Sequence, residues 1–355
     1  MKMLRRFLIL VLALLTVTSA ALADTSKEAI ESGVWESDFT RANDNLNHMT
    51  FYPTDETYLS YWQECATPGT VEKLEYDTWF YALDAKENGD PLAHTMAVTK
   101  VAYVYLPYGY DESKDYNILY LMHGGGGDET SWFATVDNHT MTEVGQGTAV
   151  HLLDNLIANG KIEPCIVVTP TFYTLQNTRK YRKVGGEIEA FSHELNDLMQ
   201  AVEGKYSTYA AGTAREDFVA SRDHRAFAGL SMGSMTTWTV AMVRNLDIFS
   251  WFGNMSAAVS ADAEGNAKYL NEVLLPALEN GKANGWNINM QLNFNGTTDL
   301  AFGPHAEMHQ LLLDYMKTSD MLRVGENYDF VVSDGPHSWD YWDLYLYDMM
   351  QVFFK

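Results

Sequence analysis

Cysteine is scarce in this chain, with only Cys65 and Cys165 among its 355 residues. Two cysteines so far apart in sequence cannot form a multi-disulfide framework, and they match no zinc-binding spacing. Cys165 lies in the apolar run "CIVVTP", which favours a buried core thiol. A Cys65–Cys165 disulfide stays open as the alternative, because an exported protein can form one.

Positive charge is scarce as well, since 24 lysines and arginines stand against 47 aspartates and glutamates, for a net charge of -23. So acidic a protein repels the phosphates of nucleic acids and of anionic membranes. We therefore expect neither a nucleic-acid nor a membrane partner. An uncharged substrate fits this charge, although solubility alone would also favour it.

Long apolar runs are absent apart from residues 7–15. Lys2, Arg5 and Arg6 precede that run, and a small-x-small triplet ends at residue 23. The three-part pattern predicts a secretory signal peptide over residues 1–23, hence an extracellular or periplasmic protein. An uncleaved anchor is the alternative, but the run is shorter than the roughly 20 residues that cross a bilayer.

The rest of the chain divides into an irregular part and a patterned part. Residues 24–68 are polar, aromatic-rich and weakly periodic, which indicates an N-terminal extension of unknown role. Over residues 69–355, strand-like and helix-like segments alternate, which predicts an α/β domain with a mostly parallel sheet covered by helices on both faces. Ligands of such sheets bind at the carboxyl ends of the strands. The strand-like segments are "TVEKLEYDTW", "KVAYVYLP", "YNILYLM", "CIVVTP", "RAFAGLS", "WFGNMSA", "INMQLNFNG" and "YDFVVSD".

One serine follows a predicted strand in a distinctive setting. In "RAFAGLSMGSM", Ser231 stands between Gly229 and Gly233, after a strand and before a helix. Gly-x-Ser-x-Gly at a strand-to-helix turn is the nucleophile elbow, which exposes a serine hydroxyl above the sheet. Five residues alone are a weak match, and a structural serine is the alternative. We predict that Ser231 is a nucleophile.

A serine nucleophile needs a base and a carboxylate that orients the base. His337 follows the last strand in a Gly/Pro turn and is the predicted base. Asp299 follows the strand "INMQLNFN" and is the predicted acid, which yields the order Ser, Asp, His. Asp262 and Asp334 are the rival acids. The rival histidines lie in predicted helices, before a strand or in a glycine run: His123, His151, His193, His224, His305 and His309.

The glycine run after the strand "YNILYLM" predicts the oxyanion hole. In "LMHGGGGDETSW", glycines allow the backbone to approach a substrate and offer an N–H donor. Gly125 is the preferred donor and Gly124 the alternative. The second predicted donor is the N–H of Met232, directly after the nucleophile. No Gly-Lys-Ser/Thr follows the run, so a phosphate-binding loop is disfavoured.

Five blocks of the chain resemble, in order, the α/β-hydrolase esterase family that includes microbial feruloyl esterases and acetyl xylan esterases, carbohydrate esterase family 1. The resemblance covers about residues 69–355 and implies an α/β-hydrolase fold with no cofactor and no metal. It places the family's nucleophile on Ser231, its acid on Asp299, its base on His337 and its oxyanion loop on the glycines after His123. Ser234 departs from the family pattern, where a second glycine is frequent. The blocks are "YVYLPYGYDESKDYNILYLMHGGGGDETSW", "LLDNLIANGKIEPCIVVTP", "RAFAGLSMGSMTTW", "NGTTDL" and "GPHSWDYW".

Tryptophans close to the predicted site loops suggest substrate contacts. Trp132 and Trp339 are predicted to stack on a feruloyl group or a sugar, while a core role is the alternative for both and for Trp342. The predicted function is a secreted serine esterase acting on feruloylated or acetylated plant polysaccharide, with feruloyl esterase preferred. An acetyl xylan esterase, a general short-chain esterase or an acyltransferase, and a non-catalytic glycan-binding protein on a hydrolase scaffold are the alternatives.

Overall fold

The computed structural model describes residues 42–80, 96–137, 140–174 and 186–355. The predicted signal peptide therefore lies outside the described residues. Within them, no helix combines the length and the apolar character needed to cross a membrane.

A single eight-stranded sheet organises the described residues, in the order β1-β2-β6-β3-β7-β8-β9-β10. Six neighbouring strands, from β6 through β3 to β10, run parallel to one another, whereas β2 runs antiparallel to both of its neighbours, β1 and β6. The predicted mostly parallel sheet is thus confirmed. The strands are β1 (Thr70–Phe80), β2 (Met96–Leu106), β3 (Asn117–Met122), β4 (Ala134–Asp137), β5 (Thr140–Val144), β6 (Cys165–Thr169), β7 (Arg225–Leu230), β8 (Trp251–Met255), β9 (Met290–Gly296) and β10 (Tyr328–Ser333).

Helices cover both faces of this sheet. The α-helices are α1 (Glu56–Ser60), α2 (Thr148–Ala158), α3 (Gly186–Glu203), α4 (Arg215–Ala220), α5 (Met232–Thr236), α6 (Ala263–Tyr269), α7 (Leu275–Ala283), α8 (Phe302–Met316) and α9 (Trp339–Met350). A π-helical stretch, Thr237–Arg244, continues α5, and another, Leu270–Leu274, joins α6 to α7. The helix α4 and a separate hairpin of β4 and β5 were not expected from the sequence.

The apolar run of β3 shows why the sheet has helices on both of its faces. Ile118 and Tyr120 belong to one buried cluster, while Leu119 and Leu121 belong to another. Because side chains alternate along a strand, a continuous apolar run requires a partner layer on each face. Helices α3 and α8 cover the first cluster, and α2 and α9 cover the second.

The described part of the N-terminal extension packs against α2 and α9. Tyr58 and Tyr61 are buried in the cluster on that face. The backbone N–H of Thr50 donates to both carboxylate oxygens of Asp348, at 3.0 and 2.9 Å. Residues 42–68 therefore contribute to one of the two cores of the domain.

Both cysteines are free thiols in the structure. Cys165 lies at the start of β6 and is buried, and this burial raises the pKa of its thiol to about 12. Cys65 is only half-buried. The arrangement is the core thiol that the apolar run "CIVVTP" favours, rather than the disulfide left open as the alternative.

Candidate active site

Ser231 occupies the turn between β7 and α5 with a backbone φ of 53° and ψ of -116°. A positive φ is strained for any residue with a side chain, so surrounding contacts must hold it. The Ser231 N–H donates to the carbonyl of Met255 in β8 at 2.8 Å, and its carbonyl accepts the N–H of Met235 at 3.1 Å. These bonds fix Ser231 at the carboxyl end of β7.

The two flanking glycines explain why the motif has its spacing. A Cβ on Gly229 would lie 2.5 Å from the carbonyl carbon of Gly233. A Cβ on Gly233 would lie 2.5 Å from the backbone oxygen of His123 and 2.6 Å from that of Met122. Both contacts are with backbone, which cannot rotate away as a side chain can. The start of α5 therefore packs directly on the ends of β7 and β3.

Asp299 and His337 meet in the loops after β9 and β10. The Nδ1 atom of His337 lies 2.9 and 3.0 Å from the two carboxylate oxygens of Asp299. The Asp299 side chain is 0% exposed and that of His337 is 21% exposed. Because a carboxylate can only accept, Nδ1 carries the proton and Nε2 of the neutral ring is free to accept one.

Contacts between the two loops hold this pair. Thr297 donates its N–H to the carbonyl of Ser333 at 2.9 Å, and the Thr298 hydroxyl donates to the carbonyl of Asp334 at 3.0 Å. A Cβ on Gly296 would overlap the backbone of Gly335. Only glycines allow the loops to come this close.

The rival candidates have other partners. Asp262 caps α6 by accepting the N–H of Gly265, and Asp334 accepts the hydroxyl proton of Tyr341. Burial lowers the pKa of His305 to about 3 and that of His309 to about 4, so both rings are neutral parts of the core.

The glycine run after β3 lies beside the elbow. A Cβ on Gly124 would sit 3.2 Å from Cβ of Ser231, and one on Gly125 would sit 2.9 Å from Sδ of Met232. Gly126 donates its N–H to the hydroxyl of Tyr173 at 3.2 Å, and Gly127 donates to the carbonyl of Gly124 at 3.2 Å. Those two N–H groups already have acceptors, so Gly124 and Gly125 stay the candidate oxyanion donors of the run.

Met232 brings the other predicted donor to the same place. It is the first residue of α5, so its N–H belongs to the first turn, where the backbone donors have no partner within the helix. The side chain of Met232 contacts the Gly125 position across the gap between loop and elbow. The elbow and the glycine run therefore face each other.

A structural role for His123 follows from its place at the start of the glycine run, but sequence reasoning missed its partner Thr171 and the neighbouring Tyr173. His123 is fully buried, with Nδ1 2.6 Å from the Gly124 carbonyl oxygen and Nε2 2.8 Å from the hydroxyl of Thr171. Thr171 and Tyr173 lie in "TPTFY", directly after β6. Their position after a strand that neighbours β3 was the available signal.

The structure separates the roles of the tryptophans. Trp132 is 2% exposed and donates its indole N–H to the carbonyl of Met122 at 3.2 Å, so its ring offers no face to a ligand. Its ring packs edge-on against Trp339, at 5.1 Å between centroids. Trp342 packs edge-on against His337 at 4.8 Å and donates to the hydroxyl of Ser256. Trp339 is half-buried, and Trp132 supports it from below.

Comparisons with known proteins agree with this architecture. The family model described as "Putative esterase" matches residues 94–353. Endo-1,4-beta-xylanase Y of Acetivibrio thermocellus is 37% identical over 271 residues, which are 72% of this chain and 22% of that protein. An endo-1,4-beta-xylanase/feruloyl esterase of Xylanibacter ruminicola is 32% identical over 210 residues, 56% of this chain and 26% of that protein. The chain spans about a quarter of the length of these curated relatives.

Solved structures show the same fold. A mutant of the feruloyl esterase module from Clostridium thermocellum, complexed with sinapinate, superposes with a TM-score of 0.64 at 29% identity and covers 86% of this chain and 94% of its own. A ferulic acid esterase from the fungus Anaeromyces mucronatus shares the fold at 18% identity, with a TM-score of 0.57 over 86% of this chain and 98% of its own. The protein belongs to the family described as "Putative esterase" and is a carboxylic ester hydrolase of the α/β-hydrolase fold.

Proposed function

We propose that the protein is a secreted serine esterase that releases ferulate from feruloylated arabinoxylan through an acyl-serine intermediate. The observation that carries the proposal is the hydrogen bond of His337 Nδ1 to the buried carboxylate of Asp299. This pair lies at the same edge of the sheet as the strained turn of Ser231, because parallel strands end together.

The proposed reaction has two acyl transfers. The hydroxyl of Ser231 attacks the ester carbonyl while Nε2 of His337 accepts its proton, and Asp299 stabilises the resulting imidazolium. The N–H groups of Gly125 and Met232 bind the oxyanion, each worth about 3 kcal/mol of barrier in enzymes of this kind. The bond from the acyl carbon to the sugar oxygen then breaks while His337 gives its proton to that oxygen, and water releases the acid from Ser231 by the same steps.

The relatives support an aromatic acid on a plant polysaccharide. The curated relatives are named as xylanases, one of them also as a feruloyl esterase, and the Clostridium thermocellum module was solved with sinapinate. The half-buried Trp339, two residues after the proposed base, provides an aromatic surface for such an acyl group or for a sugar. The net charge of -23 suits a largely neutral polysaccharide.

Export is part of the proposal. It is supported by the three-part pattern of residues 1–23, with its basic head, apolar run and small-x-small end. Intact-mass analysis of protein from the culture medium should show an N terminus at Asp24. A retained leader would contradict cleavage.

Removal of acetyl groups from xylan is the second candidate. The burial of Trp132 favours it, because only Trp339 of the two predicted stacking residues then has exposed ring surface, and a small acyl group needs little aromatic contact. The same machinery would serve both esters.

The deciding experiment measures release of ferulate and acetate, side by side, from a feruloylated and an acetylated arabinoxylan. Ferulate should dominate. Ser231→Ala should abolish both activities and also labelling by a fluorophosphonate. Ser234→Ala is the matched control, since this buried serine of the same helix only donates to the carbonyl of Ala257. Activity retained in Ser231→Ala would contradict the proposal.

A further inference from the structure

The loop that holds the candidate oxyanion donors rests on a buried imidazole. The ring of His123 packs against Phe172, at 4.5 Å between centroids, and stacks on Tyr173 at 5.7 Å. One ring nitrogen contacts the Gly124 carbonyl, which can only accept a hydrogen bond, and the other contacts the Thr171 hydroxyl, which can donate one. Burial lowers the pKa of this histidine to about 4, so the ring is neutral at physiological pH.

These partners define the tautomer of the ring. The carbonyl oxygen of Gly124 can only accept, so Nδ1 of His123 must carry the proton. Nε2 is then an acceptor, and it receives the hydroxyl proton of Thr171 at 2.8 Å. The Thr171 oxygen in turn accepts the N–H of Tyr173 at 3.1 Å, which leaves its own proton for the ring. The Gly124 carbonyl therefore sets the tautomer, and the Thr171 hydroxyl stabilises it by donating to the ring nitrogen that carries no proton.

The tautomer decides how one peptide group is turned. In a trans peptide the C=O and the following N–H point in opposite directions. The Gly124 carbonyl is held on the side of His123 by the ring and by the Gly127 N–H. The Gly125 N–H, which belongs to the same peptide group, therefore points away from His123. The reversed tautomer would set a lone pair of Nδ1 against the Gly124 oxygen and release this peptide.

A buried ion pair holds Thr171 from the other side. Lys100 in β2 donates to the backbone carbonyl of Thr171 at 2.7 Å and to the carboxylate of Glu194 in α3 at 2.5 Å. Lys100 and Glu194 are both buried, so neither exchanges this contact for water. The hydroxyl of Thr171 is thus presented to His123 from a fixed backbone.

We propose that Thr171 is a positioning residue for ester hydrolysis: by donating to Nε2 of His123 it stabilises the Nδ1–H tautomer that the Gly124 carbonyl requires, and this tautomer orients the Gly124–Gly125 peptide so that the Gly125 N–H serves the oxyanion. This inference rests on the proposed serine-esterase mechanism. It assigns to a residue after β6, which touches no reacting atom, a share of the oxyanion stabilisation.

The test combines NMR with kinetics. Long-range ¹H–¹⁵N spectra of the wild-type protein should show His123, assigned through a His123→Gln variant, as the Nδ1–H tautomer at neutral pH. Thr171→Val keeps the shape of the side chain but removes the donor. With p-nitrophenyl acetate, whose leaving group needs no proton, this variant should lose about 10- to 100-fold in kcat, with KM within about twofold. The His123 resonances should move toward the Nε2–H tautomer.

Matched variants separate positioning from general damage. Thr171→Ser retains the hydroxyl and should restore kcat and the tautomer. Thr78→Val removes another buried threonine hydroxyl, that of Thr78 in β1, which donates to Asp197 in α3 at 2.8 Å, and should leave kcat unchanged. An Nε2–H tautomer in the wild type would overturn the inference whether or not Thr171→Val folds. So would an unchanged kcat in Thr171→Val. Failure of a fluorophosphonate to label wild-type Ser231 would instead overturn the proposed function.

Discussion

The candidate site has two sides that are held by different forces. On the nucleophile side, the ends of β3 and β7 and the start of α5 approach each other through glycine backbones, with hypothetical Cβ contacts of 2.5 Å at Gly229 and Gly233. On the acid–base side, the loops after β9 and β10 also approach closely at Gly296 and Gly335, but the catalytic side chains are held by hydrogen bonds, including that of the Asp299–His337 pair.

This difference shows what each side can tolerate. Backbone packing leaves no side chain that can adjust, so a single added methyl group must displace a strand or a helix. Hydrogen-bonded side chains can be exchanged for similar shapes, and the loss then falls on protonation and orientation instead of on the fold. We therefore expect small changes to damage stability at the close backbone contacts such as Gly233, and catalysis at the hydrogen-bonded pair of Asp299 and His337.

The largest effect is expected for Asp299→Asn. An amide in this place would donate to Nδ1 of His337 and move the ring proton to Nε2, so the ring could not accept the proton of Ser231. We expect kcat for p-nitrophenyl acetate to fall by about 10⁴-fold with the fold retained. Asp262→Asn, at the exposed cap of α6, should leave kcat unchanged. A loss below tenfold in Asp299→Asn would show that Asp299 does not orient the base.

The next largest effect is expected for Gly233→Ala on the nucleophile side. Its Cβ would meet two backbone oxygens within 2.6 Å, which we expect to lower the free energy of unfolding by about 3 kcal/mol or more. Urea denaturation measures this. Gly303→Ala is the matched control in α8, because a Cβ there meets nothing within 4 Å and should leave stability unchanged or slightly higher. Equal stabilities of the two variants would remove the proposed contrast.

An intermediate effect concerns pH on the acid–base side. The Nδ1 atom of His305 accepts a hydrogen bond from Asn295 in β9, the strand that precedes Asp299, and burial lowers the pKa of the His305 ring to about 3. Between about pH 6.5 and 3 the unfolded chain binds a proton at this ring and the folded chain does not. The contribution of the neutral His305 ring to the free energy of unfolding is therefore complete above pH 6.5. Below that pH it falls by about 1.4 kcal/mol per pH unit.

His305→Gln isolates that contribution, because subtraction cancels every titrating group common to both proteins. The wild type should exceed the variant in free energy of unfolding at pH 7, and the gap should narrow by about 2 kcal/mol at pH 5. Urea unfolding at the two pH values measures the gap. A constant gap would mean that the folded state accepts the proton, so that burial does not keep the ring neutral.

The smallest effect is expected where the two sides meet. Trp339 begins α9 after the proposed base, and its ring packs against Trp132 and Trp342. Trp339→Leu should lower kcat/KM for methyl ferulate by about 3- to 10-fold, the worth of one aromatic contact, and change p-nitrophenyl acetate hydrolysis less than twofold. Trp79→Leu, at an exposed tryptophan in β1, is the control and should change neither. An equal loss for both esters would indicate a packing role.

Local patterns accounted for the parts of the fold with strong periodicity. The buried strands and the long helices follow from apolar runs and helical spacing, and the turn at Ser231 follows from a five-residue motif between a strand and a helix. The pattern did not predict the β4–β5 hairpin, whose pairing has a register shift between Ala134 and Val136, or the short α4. Neither element has a long apolar period of its own.

The placement of the tryptophans illustrates the other limit. Proximity in sequence to the site loops made Trp132 and Trp339 equivalent candidates for substrate contact. Their difference in exposure arises because the Trp132 indole donates to the end of β3 and then lies under Trp339. That contact joins residues about 200 positions apart in sequence, and no local pattern contains it.

The sequence by itself determined the α/β architecture, the strand-to-helix setting of Ser231 and the order of the acid and base candidates, because periodicity and a five-residue motif are local features of the chain. The tertiary structure decided which carboxylate reaches His337, which tryptophan keeps an exposed face, and which way the Gly124–Gly125 peptide turns. Each of these depends on hydrogen bonds and contacts between loops that follow different strands. Their partners are brought together only when the sheet assembles.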